Sequence, residues 1–221
     1  SCINTGCVPD GQLDRARRAY YALISHVDYH IGLLLYYLVK RGWMHNTLVL
    51  FTSDHGEQLG DHHIHRKTHG LEGSAKLPFF IRPPAGMELP PGRCDLPITH
   101  MDIMPTVLEA AGLPVPEHVE GASLLPLLRR EKVAWRPYVH GEHAGTWACQ
   151  YVTDGKEKFI WNTVTGDELF FDLRVDPQEE CNLADDPAHA DRLKLWRSRL
   201  AEVLAERPED GLVEGGKLVA G

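Results

Sequence analysis

Residues 47–74, TLVLFTSDHGEQLGDHHIHRKTHGLEGS, decide the fold, because an apolar run changes there into a polar loop. The run at 47–51 is typical of a strand that is covered on both faces of a parallel sheet. Glycines in the polar part allow the backbone to turn sharply. In open α/β sheets ligands bind outside the carboxyl ends of the strands, so we expect Asp54 and His55 to lie at the functional site.

The composition of the chain is that of an ordinary globular protein. Its 221 residues are 43% hydrophobic and 24% charged, enough for one large domain with a small appendage. The formal charge of −8 argues against a nucleic-acid partner. No apolar run approaches the length needed to cross a bilayer, and the first residues lack the pattern of a signal peptide. We therefore expect no membrane partner, and the compartment stays open.

Five cysteines are too irregularly spaced for a disulfide framework or a Cys-x-x-Cys metal site. We expect mostly free thiols at Cys2, Cys7, Cys94, Cys149 and Cys181.

The apolar periodicity of residues 10–41 predicts a long amphipathic helix that ends at Gly42. A second strand is expected at 77–81, and Asp102 is expected to cap a helix that runs to residue 112. The pair His100-x-Asp102 offers an alternative reading of Asp102 as a metal ligand.

Four short strands separated by turn residues follow from residue 138 and predict an antiparallel meander. A last helix begins at the cap Asp186 and buries Leu193, Trp196 and Leu200, and a tail from Glu209 is expected to be loose unless it docks. The predicted fold is α/β, with a mostly parallel sheet flanked by helices, then a small antiparallel sheet with a C-terminal helix. We place the division between a catalytic part at 1–136 and a C-terminal subdomain at 137–221.

The polar loop holds the residues whose chemistry suggests a function. Asp54 and His55 offer an oxygen and a nitrogen ligand for a divalent cation, and Lys67 is a cation placed to meet an anionic substrate. From its spacing alone, a lysine such as Lys67 is more often an ordinary surface residue than a substrate-binding one. The pattern of the loop as a whole predicts metal-assisted hydrolysis. Other ligands or acids could come from the rest of the loop, although such side chains often bond to the backbone instead. We assign supporting roles to Asp61, His62, His63, His65 and His69.

The order and spacing of these residues resemble the sulfatase family of the alkaline-phosphatase superfamily. The resemblance extends to residues 19–32 before the loop and to 102–114 and 169–183 after it. The motif residues are Ser53-Asp54-His55-Gly56-Glu57, Leu59-Gly60-Asp61-His62, Lys67, Glu72-Gly73-Ser74, Pro78 and Ile81-Arg82.

The resemblance implies a role for three residues. Asp54 and His55 correspond to ligands of the active-site cation, which is calcium in most sulfatases and manganese or magnesium in some relatives. Lys67 corresponds to the catalytic lysine that binds the sulfate of a small-molecule sulfate ester. Many sulfatases carry Asn where this chain has His55, and a His there also occurs in phosphonate monoester and phosphodiester hydrolases. Hydrolysis of a phosphonate monoester or a phosphodiester is therefore the alternative activity within the same superfamily.

One part of the family pattern does not occur in this sequence. The family's nucleophile is a formylglycine made in a Cys/Ser-x-Pro-x-Arg motif, and the start of residues 7–11, CVPDG, imitates it without the Arg. We therefore expect a fragment that covers the later part of a sulfatase, with no nucleophile and little or no turnover alone. A noncatalytic binding or assembly module is the rival interpretation, and self-association through the surface left by the missing part is expected.

Overall fold

The computed structural model describes residues 9–67, 69–145 and 147–221. Its helices are α1 (Asp10–Lys40), α2 (Glu72–Ala75), α3 (Ile103–Ala110), α4 (Leu125–Leu128) and α5 (Ala190–Leu204). Its strands are β1 (Val49–Thr52), β2 (Phe79–Arg82), β3 (Val139–His143), β4 (Cys149–Thr153), β5 (Glu157–Asn162), β6 (Glu168–Asp172), β7 (Val213–Glu214) and β8 (Lys217–Leu218). Short 3-10 turns lie at Met44–Asn46, Asp61–His63, His100–Asp102, Pro187–His189 and Pro208–Asp210.

Helix α1 has the predicted extent, and Gly42 ends it with a left-handed φ of 70°. Its apolar stripe lies open, with Leu23 and Leu34 62% and 61% exposed. The segment Gly11–Lys40 is long and apolar enough to cross a membrane by length and composition alone, which is weak evidence because core helices and signal sequences pass the same test. Our expectation that no stretch reaches this length is wrong, since Asp28 is the only Asp, Glu, Lys or Arg between residues 20 and 39.

Strands β1 and β2 form a two-stranded antiparallel sheet, with Leu50 opposite Ile81. The expected parallel partner of β1 is therefore not found among the described residues, and the four residues of β1 are only partly buried. The physical reason is the connection. Parallel neighbours need a crossover, usually through a helix. The described residues of the loop between these strands form a three-residue 3-10 turn and the four-residue α2, and the chain returns in the opposite direction in β2.

The C-terminal part confirms the predicted meander. Strands β3, β4, β5 and β6 pair in sequence order, all antiparallel. Asp186 caps the 3-10 turn before α5 by accepting a hydrogen bond from the Ala188 N–H at 2.9 Å. Helix α5 covers one face of the sheet with Trp196 and Leu200, both fully buried. The tail docks rather than staying loose, because Val213 and Leu218 of the β7–β8 hairpin pack against this core.

The other face of the sheet carries the loop between β1 and β2. Ile64 and Leu71 of that loop pack with Ile160 and Phe171 of the sheet in a second buried cluster. Strand alternation explains the division, because successive side chains of a strand point to opposite faces. Helix α5 therefore covers one face of the sheet, and the polar loop covers the other face.

Three cysteines, Cys94, Cys149 and Cys181, are free, as expected. Cys2 and Cys7 lie outside the described residues. The division of the chain at residue 136 stays a prediction.

A buried group of charges joins the loop to the sheet. Lys158 of β5 is fully buried, and its Nζ lies 2.6 Å from Glu72 Oε1 and 3.0 Å from Glu179 Oε1. Glu179 Oε2 accepts a hydrogen bond from the backbone N–H of Glu72 at 2.6 Å. Burial raises the pKa of Glu179, an effect that the charge of Lys158 opposes. We name Lys158, Glu72 and Glu179 the charge clamp.

Removing the lysine of the charge clamp should destabilise the fold. In Lys158→Met the buried Glu179 loses its counter-charge and Glu72 keeps only the exposed Lys76, 3.3 Å away. We therefore expect the free energy of unfolding at pH 7 to fall by about 3–5 kcal/mol, measured by urea denaturation. An acid whose folded pKa is raised contributes stability at low pH and loses it as pH rises through that pKa. The deficit should therefore shrink as the pH is lowered towards the ordinary range of glutamate.

The matched control is Lys156→Met, since Lys156 is an exposed lysine two residues away. Its substitution should change the free energy of unfolding by no more than about 0.5 kcal/mol. Equal unfolding midpoints for the two variants at pH 7 would contradict a stabilising role for the clamp.

Candidate active site

Asp54 and His55 lie directly after β1, where the strand ends. The backbone N–H of His55 donates to Asp54 Oδ1 at 2.9 Å, and this hydrogen bond is the main cause of the lowered pKa of Asp54. The Asp54 carboxylate is therefore ionised at neutral pH. Its other oxygen lies 3.3 Å from His55 Nε2. The two side chains predicted to act together thus converge.

The His55 ring is oriented by its other nitrogen. Nδ1 lies 2.8 Å from the backbone oxygen of Gly56. A carbonyl oxygen can only accept, so Nδ1 carries the proton, and in the neutral ring Nε2 keeps a lone pair. Metal-binding histidines are commonly oriented in this way, by a backbone carbonyl at the second nitrogen.

Lys67 reaches the same place from the far end of the loop. Its Nζ makes a short contact with His55 Nε2 across twelve residues of sequence. The structure thus brings Asp54, His55 and Lys67 together, with the lysine ammonium on the nitrogen lone pair. Because the lysine ammonium occupies the position beside His55 Nε2, that position suits a cation.

The pair Asp54–His55 supplies part of the ligand set of a divalent cation. One carboxylate and one imidazole nitrogen suit such an ion, but calcium takes six to eight ligands. In the described part of the chain no three His, Cys, Asp or Glu side chains form a group that could hold a metal. Asp54 and His55 therefore fit as two donors, and the remaining ligands must come from elsewhere.

The loop that carries Lys67 has a strained backbone. Left-handed φ angles, which L side chains rarely adopt, occur at Leu59, His62, His63 and Arg66. The Glu57 carboxylate holds the loop by accepting hydrogen bonds from the N–H groups of Arg66 at 2.5 Å and Leu59 at 3.3 Å. Strain of this kind persists only where the surroundings fix it.

A second set of contacts closes the loop on itself. Gln58 is almost completely buried and donates from Nε2 to Ser74 Oγ at 2.9 Å. The Gly56 N–H donates to the Ser74 carbonyl at 2.8 Å. The chains approach so closely that a Cβ at Gly56 would lie 2.1 Å from the Gly73 oxygen. Sequence reasoning missed Glu57 and Gln58, although the glycines on either side indicated close packing.

The supporting residues of the loop separate from the pair Asp54–His55. Asp61 forms a 3.0 Å ion pair with Arg17 of α1, and His62 and His63 are exposed. His69 packs on Trp147 with 4.8 Å between ring centroids. Burial, then the neighbouring His143 and His62, lower the pKa of His69, which is therefore neutral at pH 7.

The alternative pair His100-x-Asp102 is divided by the fold. Asp102 is fully buried and accepts two 2.7 Å hydrogen bonds from Arg136 as well as one from the Thr99 N–H. Asp102 holds the N-cap position of α3, but its side chain makes no capping hydrogen bond to that helix, so the predicted cap is wrong; its carboxylate completes the capping box of the preceding 3-10 turn instead. His100 instead turns towards the site, with Nε2 2.9 Å from the Ser53 carbonyl oxygen. That contact spans 47 residues, so no local pattern could have revealed it.

A cavity of about 540 Å³ lies between these residues and the C-terminal sheet, and we name it the first cavity. Asp54, His55 and Lys67 line one side, and His143 and Tyr151 line the other. Burial raises the pKa of Tyr151 to about 12, so the phenol stays neutral. A cavity of this size is typical of small-molecule sites.

Two family models match the chain. The model "Sulfatase" matches residues 5–113, and the model "N-sulphoglucosamine sulphohydrolase, C-terminal" matches residues 60–206. The chain is 39% identical over 224 residues to an arylsulfatase of Clostridium perfringens, covering 100% of this chain and 46% of that protein. It is 34% identical to a choline-sulfatase of Rhizobium meliloti, covering 81% of this chain and 35% of that protein.

Solved structures give the same result. A phosphonate monoester hydrolase from Silicibacter pomeroyi matches with a TM-score of 0.75 and 28% identity over 86% of this chain and 41% of that one. A protein in complex with its substrate D-glucosamine-2-N,6-O-disulfate matches with a TM-score of 0.71 and 26% identity, over 85% and 40%. The chain spans less than half the length of these relatives. With both family models in sequence order and the predicted α/β fold confirmed, the chain belongs to the sulfatase family of the alkaline-phosphatase superfamily.

Proposed function

We propose that this chain forms one side of the active site of a sulfuric-ester hydrolase of the arylsulfatase type. The observation that carries the proposal is the convergence of Asp54, His55 and Lys67 at a cavity, in a chain of the sulfatase family. The proposed substrate is a small-molecule sulfate ester, which the net charge of −8 favours over nucleic acid. We retain 1–136 as part of the catalytic domain and 137–221 as the C-terminal subdomain.

In the proposed mechanism Lys67 binds the sulfate. Its ammonium is a point charge that can stabilise the charge on the transferring group and on the departing ester oxygen. Lys67 acts from a loop that Glu57 and Gln58 hold closed, so its position is fixed before the substrate arrives.

Asp54 and His55 are proposed to hold a divalent cation, calcium first, with manganese or magnesium as alternatives. When bound, such an ion would act as a Lewis acid on a sulfate oxygen. Asp54 supplies an ionised carboxylate and His55 the Nε2 lone pair, which the Gly56 carbonyl keeps available. In this arrangement the Lys67 ammonium moves away from His55 Nε2 and binds the substrate, so that Nε2 can bind the cation.

Phosphonate monoester or phosphodiester hydrolysis is the second candidate. Its specific support is His55, together with the likeness to a phosphonate monoester hydrolase. The charge on the transferring group is similar in the two reactions, so the same three residues would serve either.

The decisive test restores the nucleophile. No Cys/Ser-x-Pro-x-Arg motif occurs in the 221 residues, so we expect the chain alone to give no turnover of a chromogenic aryl sulfate. Fused behind the preceding segment of the Clostridium perfringens arylsulfatase, it should hydrolyse the ester. Lys67→Ala should then lower kcat/KM about 10²–10³-fold, because a charge aimed at the transition state is lost.

Lys76→Ala is the matched control, because Lys76 also lines the first cavity but points mostly into solvent. It should change kcat/KM by less than about threefold. Metal-dependent turnover by the chain alone would refute the fragment interpretation. Faster hydrolysis of a phosphonate monoester or phosphodiester than of the sulfate would favour the second candidate.

Cation binding can be measured without activity. We expect calorimetric titration of the chain with Ca²⁺, Mn²⁺ or Mg²⁺ to give weak binding, with Kd on the order of 1 mM because donors are few. Asp54→Ala should abolish the heat, whereas His55→Asn should keep it, since the amide oxygen replaces the nitrogen. Asp61→Ala is the control, because that carboxylate pairs with Arg17. No heat from the parent chain would mean that the pair alone does not hold a cation.

We also propose that the chain alone self-associates through α1. The helix exposes a stripe that includes Leu23, Ile24, Val27 and Leu34, larger than the scattered apolar residues of an ordinary surface. Light scattering should give a mass above 24.8 kDa that falls when Leu34 is changed to Lys, while Leu195→Lys on the outer side of α5 leaves it unchanged. A clean monomer for the parent chain would refute the proposal, and with it one argument for a noncatalytic assembly module.

A further inference from the structure

A second cavity of about 530 Å³ adjoins the first cavity on the same face of the four-stranded sheet. Cys149 lines the second cavity and Tyr151 the first, and these residues are two apart in β4, so their side chains share a face. His69 lines both cavities, which places their boundary at this residue. A molecule held at Lys67 can therefore extend past His69 into the second cavity.

The second cavity has an aromatic wall and an apolar floor. Trp147 forms the wall together with His69, against which its ring is tilted by 48°. Leu71, Cys149 and Ile160 of the floor are buried. An aromatic side chain beside an apolar floor suits the apolar face of a ring-shaped ligand.

The two cavities differ in the charges that they offer a ligand. Three lysines, Lys67, Lys76 and Lys158, line the first cavity beside three carboxylates, Asp54, Glu72 and Glu142. In the described part of the chain no Lys or Arg lines the second cavity, whereas the carboxylates of Asp167 and Asp185 do. Carboxylates accept hydrogen bonds from hydroxyl and ammonium groups and repel a second anion.

Other polar residues of the second cavity have structural roles. Asn162 Oδ1 accepts hydrogen bonds from the N–H groups of Val164 and Thr165, both at 2.9 Å, and so holds the β5–β6 turn. Glu168 is paired with Arg197 of α5. Asp167 Oδ2 accepts a hydrogen bond from the Thr165 hydroxyl at 2.6 Å, which leaves Oδ1 for a ligand. Asp167 and Asp185 are both exposed, and they are the acceptors that we assign to a ligand.

Building on the proposed sulfatase activity, we infer that the second cavity holds the alcohol part of the substrate, a sugar ring that stacks on Trp147 and carries no second anionic group. Its hydroxyl or ammonium groups donate to Asp167 and Asp185, while its single sulfate lies at Lys67. Among the described residues only the first cavity has lysines in its lining, so the sulfate lies there and the substrate has one orientation. The inferred substrate class is a monosulfated neutral sugar or amino sugar.

The test uses unsulfated sugars, so that it does not depend on the sulfate site. Saturation-transfer NMR on the whole chain should give a signal for glucosamine and for N-acetylglucosamine. It should give none for glucuronate, whose carboxylate faces Asp167 and Asp185. Trp147→Ala should lower the affinity for glucosamine about fivefold, and Trp147→Phe should lower it less, because a ring is kept. Trp43→Ala, which removes an exposed tryptophan outside both cavities, should have no effect.

A second variant covers the case in which Trp147→Ala does not fold. Asp167→Asn combined with Asp185→Asn changes only exposed side chains and should bring the glucuronate signal up to that of glucosamine. Equal signals for glucuronate and glucosamine with the parent chain, or no signal for any sugar, would overturn the inference. So would glucosamine binding that Trp147→Ala leaves unchanged in a folded chain.

The failure of this inference and that of the proposed function are distinguishable. Lys67→Ala should keep the glucosamine signal, since that lysine is assigned to the sulfate. Sugar binding that depends on Trp147, found together with no sulfatase activity in the fused protein, would overturn the activity and support the sugar site. Sulfatase activity without sugar binding would overturn only the inference.

Discussion

Lys158 is an ammonium with no exposed surface, and the free energy of burying it is recovered only if carboxylates surround it. One of these, Glu179, comes from the C-terminal part, and the other, Glu72, comes from the loop after Lys67. The C-terminal part supplies only one of the two carboxylates, and the loop supplies the nearer one. The docking of the loop on the sheet is therefore tied to the stability of the sheet, and the first cavity forms between them.

The backbone of Glu179 shows how closely the clamp is defined. This residue has a left-handed φ of 59°, an unfavourable conformation for a side chain of its size. In that conformation its carboxylate meets both Lys158 and the Glu72 N–H. Two hydrogen bonds to the loop between β1 and β2 offset the backbone strain at Arg66 and Glu179. The Arg66 N–H donates to Glu57, and the Glu72 N–H donates to Glu179. The position of Lys67 thus depends on contacts that Lys67 itself does not make.

Local patterns predicted the elements of this fold well, because a helix stop or a hairpin depends on neighbours in sequence. Gly42 ends α1, four short strands follow residue 138 as an antiparallel meander, and Asp186 is a cap. Asp54 and His55 are adjacent in sequence, so their proximity followed from their position after a strand. That Lys67 lies with them rested on the family resemblance, because twelve residues of polar loop carry no periodicity that fixes a position.

The features that sequence reasoning missed are long-range. In the charge clamp, Lys158 and Glu72 are 86 positions apart in the sequence, and Glu72 and Glu179 are 107 positions apart. His100 contacts Ser53 across 47 positions. Nor could the pattern of β1 reveal its partner, since an apolar run does not indicate whether the neighbouring strand is parallel or antiparallel. The docked tail was missed because Val213 and Leu218 are isolated apolar residues among glycines and charges, and only the tertiary core gives them a place.

The proposal that the site is one side of a larger arrangement accounts for two separate features. Asp54 and His55 supply two donors to a cation that needs several, and the apolar stripe of α1 is uncovered. The first is a deficit of polar ligands and the second an excess of apolar surface, so neither follows from the other. A single body that carried carboxylates on one edge and an apolar face on another would resolve both. Under the proposed function that body also carries the nucleophile, which attacks the sulfur of a sulfate held at Lys67.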